Sequence, residues 1–204
     1  MDELELLKKD WKRREGSLPK LSYDEIYKMI LKKSSSIVKW IFIVSILEFV
    51  LWTSLDLILR FLGVYDPTEG TYLEVFTYIS YFFSYGILFY FMVKFYLNYK
   101  RIKVTDSAKE LMHNIIKTRK TVKHYVFINL SFLAIFSFIS VFLVYYSDSV
   151  DPAAEELPLP VLIITSIILI SIFIGLIALL YRVVYGVLTR RLKRNYEELE
   201  SLDE

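Results

Sequence analysis

The chain has 204 residues, of which 55% are hydrophobic and 17% aromatic, and a formal net charge of +2. That is too apolar for a soluble domain and ordinary for a small membrane protein with polar ends. There is no cysteine, which excludes disulfides and thiolate-bound metals, and the only histidines are His113 and His124.

In chain order, residues 1–15 read as a short amphipathic helix, with Leu4, Leu7 and Trp11 on one face. These three are the candidate partner-docking residues. The acidic start (Asp2, Glu3, Glu5) and the later Lys8, Lys9, Lys12, Arg13 and Arg14 suit the helix dipole, and Gly16 and Pro19 end it. The segment 1–21 is expected to be a cytosolic arm. A second helix opens at Ser22, where Ser22 and Glu25 have the spacing of a capping box. It leads through the serine run 34–36 into a first membrane crossing at about 37–62, flanked by Lys39 and Trp40. A turn around Gly63-Val64-Tyr65-Asp66-Pro67 follows, then an aromatic-rich second crossing at about 73–97.

Residues 100–123 carry Lys100, Arg101, Lys103, Lys109, Lys117, Arg119, Lys120 and Lys123, whereas 61–93 and 124–181 contain no Lys or Arg. This connector is expected on the cytosolic side, because positive charge beside a crossing holds it there. Ser107 and Glu110 repeat the capping pattern before a third crossing at about 122–146. An acidic loop with three prolines precedes a fourth crossing at about 161–187, closed by Arg182, Arg190, Arg191, Lys193 and Arg194. The end, 195–204, reads as an acidic, frayed tail.

The expected fold is all-α. It is a polytopic membrane protein with four transmembrane helices in two hairpins, 22–104 and 105–194, both termini cytosolic, and helical extensions into the cytosol. Sliding the chain by 85 residues matches Ser22 with Ser107, Glu25 with Glu110 and Trp40 with Tyr125. A spacing of 89 matches Gly86 with Gly175 and Tyr96 with Tyr185. A parallel duplication and mere likeness between two capped basic hairpins are equally compatible with this.

The informative polar residues lie in the first crossing, where Glu48, Trp52, Asp56 and Arg60 recur every four residues. Asp56 and Arg60 are expected to pair at the outer end. Glu48 falls near mid-membrane, where an acidic side chain is costly enough that it should face other helices. It is expected to hydrogen-bond there as a neutral acid, with Tyr85 and Asn129 as the candidate partners in an intramembrane polar cluster. The pairs Ser80/Ser84 and Ser171/Gly175 have the spacing of small residues that let helices approach.

The opening Leu7-Lys8-Lys9-Asp10-Trp11, with the run from Leu18 to Ile30 and from Lys33 to Ile41, resembles a family of uncharacterised flavobacterial inner-membrane proteins. Some members carry the name β-carotene monooxygenase, which implies a histidine-rich iron site that two histidines do not build. The Leu-Lys-Lys-x-Trp opening also resembles, more weakly, membrane proteins that present a cytosolic segment to sigma factors.

The function expected is non-enzymatic: a regulatory or assembly protein of the inner membrane that binds a cytosolic partner through its helical extensions. A small transporter or channel subunit using Glu48 is the alternative, and a membrane-embedded carotenoid oxidase a distant third. No catalytic set, metal site, cofactor or nucleic-acid partner is expected. The lipid bilayer and a cytosolic protein are the expected partners, with a homo-oligomer left open.

Overall fold

A computed structural model describes residues 22–63, 71–105, 107–146 and 158–203, together with Glu5, Lys8 and Lys9. Leu4, Leu7 and Trp11 lie outside the described residues, as do most of the two loops expected on the far side. Four helices make up the described fold: α1 (Tyr23–Phe61), α2 (Thr71–Lys103), α3 (Ala108–Tyr145) and α4 (Leu159–Asp203). Each is long and apolar enough to cross a membrane.

The contacts define an up-and-down bundle. Tyr27 of α1 donates to the Thr105 carbonyl after α2, while Asp56 further along α1 meets Tyr81 near the start of α2. Tyr72 of α2 reaches the Tyr146 carbonyl after α3, and Asn98 reaches Thr121. Ser34 and Glu48 of α1 meet Asn195 and Tyr181 of α4. Each neighbouring pair therefore runs antiparallel. We call the end holding Tyr23, Lys103, Ala108 and Asp203 the basic end.

α1 has 39 residues and spans roughly 58 Å at about 1.5 Å per residue, well beyond a hydrocarbon core of about 30 Å. The core is not spread evenly along that length. Ile30, Val38, Ile41, Phe95, Ile102, Leu111, Ile115, Tyr125, Leu192 and Leu199 are all buried, and all lie in the half of the bundle toward the basic end. In the apolar windows at most 11% of residues are buried within the bundle. Such a surface would aggregate in water.

The basic end also buries polar side chains, and three asparagines there reach partners on other elements. Asn195 donates to Ser34 Oγ at 2.9 Å, Asn98 to Thr121 Oγ1 at 3.2 Å and Asn114 to Thr105 Oγ1 at 3.1 Å. These bonds hold the helices in axial register, since sliding one helix would strand buried polar groups.

Of the local expectations, two hold and two change. The serines 34–36 continue α1 because Ser34 is packed and bonded from α4. The acidic tail is not frayed: α4 runs through it to Asp203, anchored by buried Asn195 and Leu199 and by Lys193–Glu197 and Arg194–Glu198 pairs one turn apart. The capping box is complete at Ser22, whose N–H donates to Glu25 Oε2 at 2.8 Å while Glu25 N–H donates to Ser22 Oγ at 3.3 Å. At Ser107 only the second of these bonds forms, from the Glu110 N–H.

The proposed repeat loses its register in the core. The buried stripes pair Ile30 with Asn114, Ser34 with Thr118, Val38 with Val122 and Ile41 with Tyr125, each 84 residues apart. Phe95 and Tyr185 are likewise both buried and 90 apart, and their rings meet at 6.3 Å. One residue is about 100° of helix. The 85-residue alignment therefore opposes Trp40, 54% exposed, to fully buried Tyr125, and the 89-residue alignment opposes Tyr96, 48% exposed, to Tyr185 at 2%. The small pair Ser171/Gly175 faces outward, and a Cβ added at Gly175 would meet nothing within the chain.

Candidate functional site: the Glu48 cavity

The buried stripe of α1 advances by three and four residues, through Ser34, Val38, Ile41 and Ser45. Its next member is Glu48, so the repeat that builds the core also turns this carboxyl inward. Two phenols from α4 receive it. Tyr181 donates to Oε1 in a short hydrogen bond, and Tyr185 donates to Oε2 at 3.1 Å. Being four residues apart, Tyr181 and Tyr185 present both hydroxyls from one face. From α3, buried Tyr125 packs edge-on against both rings, at 5.9 and 5.6 Å, and its hydroxyl lies beside the same carboxyl without a hydrogen bond of its own. Phe91 and Phe95 of α2 close the group against Tyr125 at 5.2 and 5.4 Å.

The expected partners are replaced. Tyr85 and Asn129 line the cavity that Glu48 enters, but neither donates to it. Asn129 donates back to the Tyr125 carbonyl on its own helix at 3.1 Å, and the Tyr85 ring packs on Phe49 and Tyr81. Glu48 also stands level with the turn of α4 that carries Arg182, between the two tyrosines that it meets.

The Asp56–Arg60 pair is present, with Nε to Oδ2 at 3.1 Å. It is larger than the sequence indicated, because Tyr81 donates to Asp56 Oδ1 at 2.7 Å and Arg60 sits over the Tyr81 ring at 5.1 Å. Between this triad and Glu48 lies a cavity of about 320 Å³, whose walls include Trp52, Tyr81, Ser84, Tyr85 and Asn129. A second cleft of about 240 Å³ reaches Glu48 from the seam between α1 and α4, through Leu47, Leu51, Leu180 and Val184. Leu47, Leu51 and Leu180 are exposed on the outside of the bundle.

Chemically, Glu48 accepts from two neutral donors and has no basic partner among the described residues. Among the described residues, no group of three or more His, Cys, Asp or Glu stands close enough to hold a metal ion.

A family model described as "Domain of unknown function (DUF8845)" matches residues 24–204. The chain belongs to this family. No curated protein and no solved structure matches the chain. The match to DUF8845 begins at the capping box of α1 and takes in all four helices, so the Glu48 cavity lies wholly within the family domain.

Proposed function

We propose that this DUF8845 chain is an integral membrane protein that binds a lipophilic organic cation at Glu48 in exchange for a proton, as a small transporter does. The observation carrying the reading is a carboxyl held by two phenols, without a counter-cation among the described residues, on the wall of an aromatic-lined cavity. An ionised Glu48 accepts from Tyr181 and Tyr185 and still needs a positive charge in a medium that penalises unpaired ions. Trp52 and Tyr85 line the cavity with aromatic rings, the groups that attract organic cations. The apolar cleft between α1 and α4 supplies a path from the lipid. Protonation of Glu48 removes the charge that holds the cation, so the two ligands compete for one group.

The orientation that we propose places both termini and residues 100–123 on the cytosolic side of a bacterial inner membrane, on the strength of the Lys and Arg distribution. A second reading is a regulatory protein that docks a cytosolic partner. It is favoured by the groove between α1 and α4 at the basic end, lined by Met29, Lys32, Lys33, Trp40 and Arg191, which suits an acidic amphipathic helix.

The test of the first reading uses the full chain in lipid nanodiscs with tetraphenylphosphonium as probe. We expect saturable binding that strengthens as pH rises, with proton release on binding, and its loss in Glu48→Gln. Equal binding by wild type and Glu48→Gln at every pH would overturn it.

A further inference from the structure

The cation reading leaves out a groove on the other side of α4. Between α3 and α4 lies a cavity of about 490 Å³, whose charged residues are Arg119, Lys123 and Arg182. No carboxylate lines it, and neither Lys123 nor Arg182 has an ion pair among the described residues. Arg119 is half-buried, and its Nε is closed off from solvent without an acceptor. A buried guanidinium donor left unsatisfied is costly, and an anionic oxygen would remove that cost.

We propose that this groove binds the phosphate headgroup of an anionic phospholipid. The order of residues along it carries the choice. On α3 the wall reads Arg119, Val122, Lys123, Val126, Phe127 and Leu130, with the charges first and the apolar groups after. On antiparallel α4, Ala178 and Tyr181 face the apolar part, and Arg182 and Thr189 lie toward the basic end. Phe127, 69% exposed, forms an outer wall along which an acyl chain can lie. The site is therefore positive where the crossing of α3 begins and greasy beyond it, the profile of a phospholipid standing beside the helices. The planar fork of Arg119 suits bidentate contact with phosphate, and Lys123 and Arg182 add point charges. Basic pockets between transmembrane helices at the cytosolic surface bind anionic headgroups on these grounds. The neighbouring groove between α1 and α4 is a poorer anion site, because Glu198 lines it and pairs with Arg194. This inference does not depend on cation binding at Glu48.

The full chain, purified in detergent, is exchanged into micelles holding equal phosphatidylglycerol and phosphatidylcholine, and the lipid retained per chain is measured. We expect phosphatidylglycerol to be retained over phosphatidylcholine by about tenfold. The double variant Arg119→Gln/Lys123→Gln should abolish the preference, while Lys193→Gln should keep it. Equal retention of both lipids by wild type, or an unchanged preference in the double variant, would overturn the proposal. If the double variant does not fold, a photoreactive phosphatidylglycerol on wild type decides: labelling within 119–130 and 178–189 supports the site, and even labelling of all four helices refutes it. Displacement of the lipid by millimolar inorganic phosphate would assign the groove to free phosphate and overturn the lipid reading.

Discussion

Glu48 shows how one side chain is judged by what surrounds it. Its two oxygens take the hydroxyls of Tyr181 and Tyr185, so removing the carboxyl strands two largely buried phenols packed against Tyr125. Glu48→Leu is expected to cost about 1–3 kcal/mol, the penalty of unsatisfied buried donors. Glu48→Gln keeps an acceptor and most of the shape, and should cost less than about 1 kcal/mol. Unfolding in mixed micelles, followed by tryptophan fluorescence, measures both. A Leu variant as stable as wild type would mean that the phenols find other acceptors. The Asp56–Arg60 pair was legible in the sequence because i,i+4 spacing on one helix determines it. Tyr81, Tyr125, Tyr181 and Tyr185 were not singled out for their sites. The readable signal was weak: two tyrosines four apart beside Arg182, in a segment that is mostly aliphatic.

The elements carry their own end signals. The start of α1 is held by the reciprocal Ser22–Glu25 bonds, and the Ser22 backbone N–H holds the Glu25 carboxyl below its ordinary range. A carboxyl lowered in this way stabilises the folded cap above the unfolded carboxylate value, near about 4.3. That contribution is lost as pH falls through the lowered folded value. Amide exchange at Glu25 and Ile26 should therefore accelerate in acid relative to mid-helix amides, and Glu25→Gln should remove the pH dependence. The far end of α1 closes differently. Leu62 N–H bonds to the Ile58 carbonyl at 2.9 Å, and Gly63 follows at φ +66° with its N–H on the Arg60 carbonyl. A Cβ at Gly63 would meet nothing within 4 Å, so the cost of Gly63→Ala is backbone strain alone, about 1 kcal/mol. A loss well above that in the same unfolding assay would point to contacts that the open space does not suggest.

At the scale of the molecule, the lack of cysteine makes orientation testable with single introduced cysteines. If both termini are cytosolic, as proposed, an impermeant thiol reagent should label intact cells carrying Thr68→Cys or Ser149→Cys and spare Ser107→Cys, because basic residues crowd the connector and are missing from 61–93 and 124–181. Labelling at 107 alone would invert the topology and move the lipid groove to the opposite leaflet. By itself the sequence determined the four long apolar helices, their basic and acidic ends, the caps and the one-helix ion pair, because each depends on composition or on spacing within one strand of chain. Tertiary structure alone decided which helices stand level. A shift of one residue turns a side chain by about 100°, and a shift of one turn moves it by about 5.4 Å. Neither is visible in a single helix, so the phenols that receive Glu48, the residues that share its cavity and the register of the two halves became known only when the helices were packed.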